Sequence, residues 1–420
     1  MQRRINELET KSLPITQQMV RKAYRKVKSN RGRAGIDQVS LEEYQQDLSN
    51  NLYKLWNRMA SGSYFPPSVR AVSIPKSNGK RRKLGIPTVG DRIAQQVMKD
   101  YLEPRFEEIF HENSHGYRPL KSAHQAVEKV RQNVRQYAWV IDMDIKSFFD
   151  EVDHKLMIKA LEKHVSERWV LMYLKRWLEA PSEDAKGNQI ERKGKGTPQG
   201  GEISPLLANL YLHYTFDKWM EIKNPGVPFV RYADDVIVHC HSEQEAQRIL
   251  TAIRERLQQC GLRLNEAKTK IVYCQDYRRE KKDYKKKFDF LGFSFQPRST
   301  ASQKGGMFLG YDCGISITSK KRISTKWKEM KFHRWTGATI QEIARLINPI
   351  MRGIFQYYGR YKRWELQSVI RNFHFRLVKW IVNKYKRFRG RYKRAYEWLI
   401  EVRKGFPNLF YHWTLGYKTM

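Results

Sequence analysis

Residues 229–238 constrain this chain more than any other stretch, because two adjacent carboxylates, Asp234 and Asp235, stand between two short runs of β-branched and aromatic residues. Phe229, Val230 and Tyr232 on one side and Val236, Ile237 and Val238 on the other have the composition of paired strands. The pattern predicts a β-hairpin with acid at its tip. Asp is a common turn residue, so a solvated turn is the plain alternative. Two like charges side by side repel unless a cation sits with them, and a third carboxylate from another strand would turn the hairpin into a divalent-metal site.

Residues 139–150 supply that carboxylate. Their first half alternates like a buried strand, with Asp142 and Asp144 on the same face and Phe148 and Phe149 just beyond. Acids on a buried strand need a metal, hydrogen bonds or partner charges to offset their desolvation.

The chain has 420 residues and is 40% hydrophobic and 13% aromatic, enough for two or three domains with real cores. Its 80 Lys and Arg against 43 Asp and Glu give a net charge of +37, which points to a polyphosphate partner, nucleic acid. No run of 18 apolar residues and no apolar signal core appears, so a membrane partner is not expected and a cytoplasmic, nucleoid-associated protein is. Cys240, Cys260, Cys274 and Cys313 are scattered without metal-site spacing and are expected to be reduced. From Ile315 onward 25 basic residues face 5 acidic ones, and 21 of the 53 aromatics lie there. Interleaved basic and aromatic side chains suit RNA or single strands, and the aromatics also suit a helical core.

In chain order, residues 15–28 have the period of a basic amphipathic helix after a Thr16 cap, and residues 69–87 read as a cationic hairpin. There Lys76 and Arg82 flank the turn and can meet over a triphosphate. A helix is expected over 91–110. A Gly-Pro loop over 196–205 carries Gln199 and leads into an apolar helix over 206–219. Another helix is expected over 243–260, strand, turn and strand over 262–271 with Lys268 at the turn, and an aromatic hairpin over 288–295. Beyond 315 the pattern is helical, with Leu366, Val369, Ile370, Phe373, Leu377, Trp380 and Ile381 on one stripe and Arg371, Lys379 and Arg387 largely off it.

The order of motifs now carries a resemblance: the basic Pro75-Lys76 hairpin, residues 143–150, Thr197-Pro198-Gln199-Gly200-Gly201, Tyr232-Ala233-Asp234-Asp235, Asn265 with Lys268 and Thr269, and Phe290-Leu291-Gly292-Phe293. Together they resemble a group II intron-encoded reverse transcriptase/maturase. Residues 352–358, with Arg352, Tyr357 and Tyr358, and the closing residues 410–413 resemble its maturase region.

The resemblance implies an α+β right-hand polymerase with fingers, a palm of antiparallel sheet plus helices, and an all-α thumb/maturase domain. It places a basic helical extension over 1–60, fingers over 61–140 with part of 150–230, the palm over 141–300 and the thumb over 301–420. Asp144, Asp234 and Asp235 would be catalytic and hold two Mg²⁺ ions, with Mn²⁺ possible; Asp142 falls outside the catalytic position. Lys76, Arg82, Phe149, Gln199 and Lys268 would bind the dNTP, with Phe149 excluding a 2′-hydroxyl. Arg352, Tyr357, Tyr358, Arg371, Lys379 and Arg387 would contact RNA. The partners implied are group II intron RNA, a DNA primer or target and dNTPs.

Many relatives continue into an H-N-H nuclease. The sequence stops at Met420 without one, so a primer from elsewhere, such as a nascent strand at a replication fork, is expected. A splicing cofactor with a vestigial polymerase and a reverse transcriptase recruited to host defence are the alternatives.

Overall fold

The computed structural model describes residues 12–75, 81–301 and 305–417. The chain is a mixture of helices and mostly antiparallel strands and divides into two compact units, one of residues 12–126 with Ile141–Ile271, the other of Val127–Val140 with residues 272–417.

In the first unit, helix Gln17–Asn30 starts where the sequence predicts. The Thr16 hydroxyl accepts from the Met19 amide at 3.3 Å, and Val20, Ala23, Tyr24 and Val27 are buried. Strands β1 (Val69–Pro75) and β2 (Arg81–Ile86) pair antiparallel as the expected hairpin. Strand β3 (Trp139–Asp144) carries the predicted acids. Two short strands, β4 (Ser182–Glu183) and β5 (Gln189–Ile190), extend the hairpin into a sheet of order β2-β1-β4-β5. The acid hairpin is β6 (Phe229–Tyr232) and β7 (Asp235–Cys240), and with β8 (Lys270–Tyr273) it forms a second sheet of order β6-β7-β3-β8. This order places the two acid-bearing segments on neighbouring strands.

Helix Val89–Glu107 is buried along most of its length, which is why its polar residues are paired rather than solvated. Asp91, 1% exposed, accepts from the Tyr64 hydroxyl at 2.8 Å, the Trp177 indole at 2.7 Å and the Gln95 amide at 2.9 Å. Burial raises its pKa, opposed by those three bonds. Gln95 in turn accepts from the Ile203 amide at 3.4 Å, tying this helix to the end of the Gly-rich loop.

The single apolar helix expected over 206–219 is instead three segments. An α-helix, Ser204–Leu212, passes into a π-helical turn, His213–Asp217, and then into Lys218–Lys223. The wider turn accompanies an inward-facing acid, Asp217, which is fully buried against an arginine described below. The strand pair expected over 262–271 also differs: Leu264 makes only an isolated bridge with Ile145, and β8 begins at Lys270, because Asn265 turns the chain by accepting from the Lys268 and Thr269 amides.

In the second unit β9 (Phe288–Phe290), β10 (Phe293–Ala301) and β11 (Met307–Ile315) form an antiparallel sheet of order β11-β10-β9. Helices Ile317–Glu329, Ile340–Tyr358, Gln367–Lys384 and Tyr392–Gly405 follow. All seven residues of the predicted stripe are buried, and Trp327, Phe332, Phe373 and Phe410 pack ring to ring around it. All four cysteines are free and buried. Among the described residues no helix is long and apolar enough to cross a membrane.

Two histidines close this core, with Nε2 of His374 and Nε2 of His412 2.7 Å apart. Burial, reinforced by the charge of Arg403, pushes the His374 pKa down to about 4; burial, then His374 and Arg403, pushes that of His412 well below the usual value. The unfolded chain takes up these protons near pH 6.5, whereas the folded chain resists them, so stability falls as pH drops from about 6.5 toward 4. The slope is about 1.4 kcal/mol per pH unit for each histidine. Thermal melts between pH 7.5 and 5 are expected to show the melting temperature falling with pH, with a shallower fall in the pair His374→Gln and His412→Gln. His213, pushed down to about 4 mainly by burial, adds to the slope in the first unit. A melting temperature independent of pH over this range contradicts the assignment.

Candidate active site

The acid hairpin closes with Tyr232 paired to Asp235, leaving Ala233 and Asp234 as the turn. Ala233 has φ +56°, a left-handed conformation that costs an alanine roughly 1–2 kcal/mol. A buried arginine holds the turn in place. The Arg231 guanidinium donates to the Ala233 carbonyl at 3.2 Å, to Asn209 Oδ1 at 3.0 Å and to both oxygens of Asp217, at 2.7 and 2.5 Å. Both members of this ion pair are 0% exposed, so the bidentate fork and the further bonds are what offset their desolvation.

The loop containing His115 and Gly116 docks on the same strand. The His115 amide donates to the Arg231 carbonyl at 2.8 Å, the Arg231 amide to the Asn113 carbonyl at 2.9 Å, and the Asn209 side chain to the Gly116 carbonyl at 2.8 Å. A Cβ on Gly116 would lie 2.4 Å from the Ala233 amide nitrogen and 3.0 Å from the Tyr232 carbonyl carbon. Gly116→Ala is therefore expected to displace the Asp234 turn and cut nucleotide incorporation at least tenfold while the protein stays folded by circular dichroism. Wild-type incorporation by this variant would show that the close approach has no function.

Asp144, at the end of β3, is half-buried. Its Oδ1 lies 2.8 Å from Lys268 Nζ and its Oδ2 accepts from the Asn265 amide at 2.8 Å, while its carbonyl accepts from the Asn265 backbone at 2.8 Å. Asp142, on the same face, lies 3.4 Å from Lys270 Nζ. Asp235 is exposed at the hairpin tip, while protein atoms crowd around its carboxyl group. That burial first, and then the charges of Asp234 and Asp144, raise its pKa well above the usual carboxylate range, against the opposing charge of Lys268. The carboxylates thus act on one another electrostatically. Among the described residues no three acidic, histidine or cysteine side chains converge tightly enough to enclose a metal ion.

A divalent cation held by Asp144, Asp234 and Asp235 would offset the mutual repulsion that, after burial, raises the Asp235 pKa. Lys268 is the positive charge that partly does so here. Its own pKa is raised by its hydrogen bond to Asp144 and by the charges of Asp144, Asp235 and Asp234, in the face of burial, which lowers it.

Of the residues expected from the sequence to meet the nucleotide, Phe149 and Gln199 lie at the Gly-rich loop. The Thr197 amide donates to the Phe149 carbonyl at 2.7 Å, and the Gly85 amide on β2 donates to the Gln199 carbonyl at 2.8 Å. Gly200, with φ +126°, has its Cα so close to β2 that a Cβ would lie 2.4 Å from the Gly85 carbonyl oxygen. Phe149 is 7% exposed in the short helix Phe148–Glu151, edge-on to Phe148. The Arg82 backbone pairs with Ile74 in the hairpin register, and the Arg82 side chain and Lys76 lie outside what the structure describes.

Of the residues expected to meet RNA, Arg352, Arg371 and Arg387 are exposed and Lys379 is half-buried with its ammonium 5.0 Å from the Phe375 ring centre. Tyr358 is instead packed inside the second unit, 5% exposed, where its hydroxyl accepts from Arg322 at 2.6 Å. Tyr357 is half-buried and donates to the Leu291 carbonyl at 2.8 Å. Both rings lie against Phe293, so their place is in packing the end of the Phe290-Leu291-Gly292-Phe293 hairpin.

Sequence reasoning missed Arg231, Asp217, Asn209, Gly116 and Asn265 as supports of the site. One signal was present: a lone arginine inside an apolar strand and a lone aspartate inside an apolar helix, each too costly to bury without the other.

Residues 74–295 match the family "Reverse transcriptase (RNA-dependent DNA polymerase)", and residues 320–398 match "Group II intron, maturase-specific domain". Protein YkfC of Escherichia coli is 34% identical over 279 residues, which is 58% of this chain and 73% of that protein. The group II intron-encoded protein LtrA of Lactococcus lactis is 33% identical over 194 residues, 46% of this chain and 32% of its own length. A 91 kDa protein in the cob intron of Schizosaccharomyces pombe is 28% identical over 414 residues, spanning 80% of this chain and 49% of that one. The reverse transcriptases of this family use divalent metal ions and have the right-hand polymerase fold class. With more than half of its length inside the first match and the maturase-specific region behind it, the chain belongs to the reverse transcriptase (RNA-dependent DNA polymerase) family, of the group II intron type.

Proposed function

We propose that the chain copies RNA into DNA, and that it binds a group II intron RNA, assists its splicing and reverse-transcribes the inserted intron. The carrying observation is the carboxylate set: Asp144 ends one strand, Asp235 begins its neighbour, and the charges of Asp144 and Asp234 bear on Asp235. In this reading Asp144, Asp234 and Asp235 hold two Mg²⁺ ions, for which Mn²⁺ can substitute. When bound, the ions supply Lewis acidity toward the primer 3′-hydroxyl and the triphosphate.

The chain's own residues do the positioning. Lys76 and Arg82 hold the triphosphate, Gln199 contacts the nucleotide from the Gly-rich loop, and Lys268 neutralises charge beside Asp144. Phe149 lies under the sugar and excludes a 2′-hydroxyl. Phe149→Ala is expected to raise ribonucleotide incorporation at least tenfold relative to deoxyribonucleotide; unchanged sugar selectivity would remove Phe149 from this role.

The RNA that co-purifies with the full chain tests the intron reading. A structured group II intron, whose splicing the protein accelerates, is the expected result. Bound intron with no DNA synthesis would favour a splicing cofactor, and random RNA would remove the intron assignment.

A further inference from the structure

A cleft of about 390 Å³ in the second unit lies apart from the carboxylate site. It is lined by Glu128, Arg131, Asp312, Arg360, Lys362 and Trp364, with Tyr361 alongside. Its floor is a closed ion cluster. Arg131 Nε lies 2.7 Å from Asp312 Oδ1, Lys362 Nζ lies 3.5 Å from Asp312 Oδ2, and the Arg131 guanidinium sits 5.6 Å from the centre of the Tyr361 ring. The Asp312 pKa is lowered by Arg131 and Lys362 in spite of burial, so the carboxylate stays charged and the floor stays paired.

The rim differs in kind. Trp364 is 64% exposed, a large apolar ring left in water at the mouth of a charged cleft, and the Lys362 ammonium lies 5.1 Å from its centre. Arg360 is exposed on the same rim. Three basic residues against two acidic ones leave the lining positive, and Arg360, Lys362 and Trp364 belong to the stretch from Ile315 onward that carries 25 basic and 5 acidic residues. A flat ring open on one face, flanked by cations, matches the parts of a single nucleotide: the base stacks on the indole and the phosphate meets the cations. The volume falls within the range of small-ligand sites, enough for one nucleotide and too little for a duplex.

We propose that this cleft captures one unstacked nucleotide of a single-stranded or looped RNA, with its base on Trp364 and its phosphate at Arg360. The proposal rests on the reading of the chain as an RNA-handling protein, and it adds a base-stacking contact away from the carboxylates.

The test is fluorescence anisotropy of a labelled, unstructured 12-nucleotide RNA with the full chain across a salt series. Trp364→Ala is expected to weaken binding about five- to hundredfold, as loss of one stacked base does, without changing the salt slope. Trp364→Phe should retain most of the affinity, and Arg360→Ala should reduce the slope of log K on log salt by about 0.7, one phosphate contact on a single strand. A blunt RNA duplex of the same length should not distinguish Trp364→Ala from wild type. Affinity of Trp364→Ala for the single strand within twofold of wild type overturns the proposal, as does an equal loss on the duplex. Because Trp364 is exposed, its replacement should leave the melting temperature unchanged. Primer extension by the wild-type protein, measured in parallel, reports separately on the polymerase reading.

Discussion

Replacing Asp234 by Asn is expected to lower DNA synthesis by about three orders of magnitude or more, and Asp144→Asn and Asp235→Asn to do the same. Several kcal/mol of transition-state stabilisation rest on these carboxylates in the proposed mechanism, and each 1.36 kcal/mol is a factor of ten. The loss should fall on kcat rather than on RNA affinity. None of the three belongs to the basic second unit, and removing a negative charge does not weaken phosphate binding. Removing one like charge should also relieve Asp235, so Asp234→Asn is expected to melt at or slightly above the wild-type temperature. Loss of activity accompanied by unfolding would mean that these acids are structural.

Arg231→Met is expected to be the most destabilising single substitution in the first unit, by about 3–5 kcal/mol, because it strands the Asp217 carboxylate in the core with no charge partner. It also releases the Ala233 carbonyl and Asn209, so the Asp234 turn loses the contact that fixes its left-handed residue. Urea unfolding should show a lower midpoint, and DNA synthesis should fall with it. The double variant Arg231→Met with Asp217→Leu removes both charges and should recover much of the stability, since an apolar pair of similar volume replaces a buried ion pair at little cost. The double variant should not recover the activity to the same degree, because the turn's carbonyl remains unheld. A single variant as stable as wild type would mean that Asp217 reaches water or another partner.

The hairpin with acid at its tip, the acid-bearing β3, the capped basic helix and the helical stripe of the second unit were all legible, because each is written in local period and composition. The supports of the site were not. The Arg231 to Asp217 contact joins residues 14 apart, and Asp217 ends a π-helical turn that hydrophobic period alone reads as continuous helix. Gly116 meets Ala233 across more than a hundred residues, and its role depends on a backbone approach that leaves no mark in its neighbours. Tyr358 shows the converse: an aromatic in a basic segment reads as an RNA contact, and packing against Phe293 decides otherwise. Lys268 was visible as a turn residue, but its bond to Asp144 needed the fold to bring β3 beside the turn at Asn265.

The most direct test of the central claim is primer extension by the full chain on a defined RNA template, with a DNA primer, dNTPs and Mg²⁺, compared side by side with Asp234→Asn. The account predicts template-dependent DNA synthesis by the wild type, abolished by chelating the metal and lost in the variant. Absence of extension on any RNA template, or extension that Asp234→Asn sustains at the wild-type rate, would contradict it.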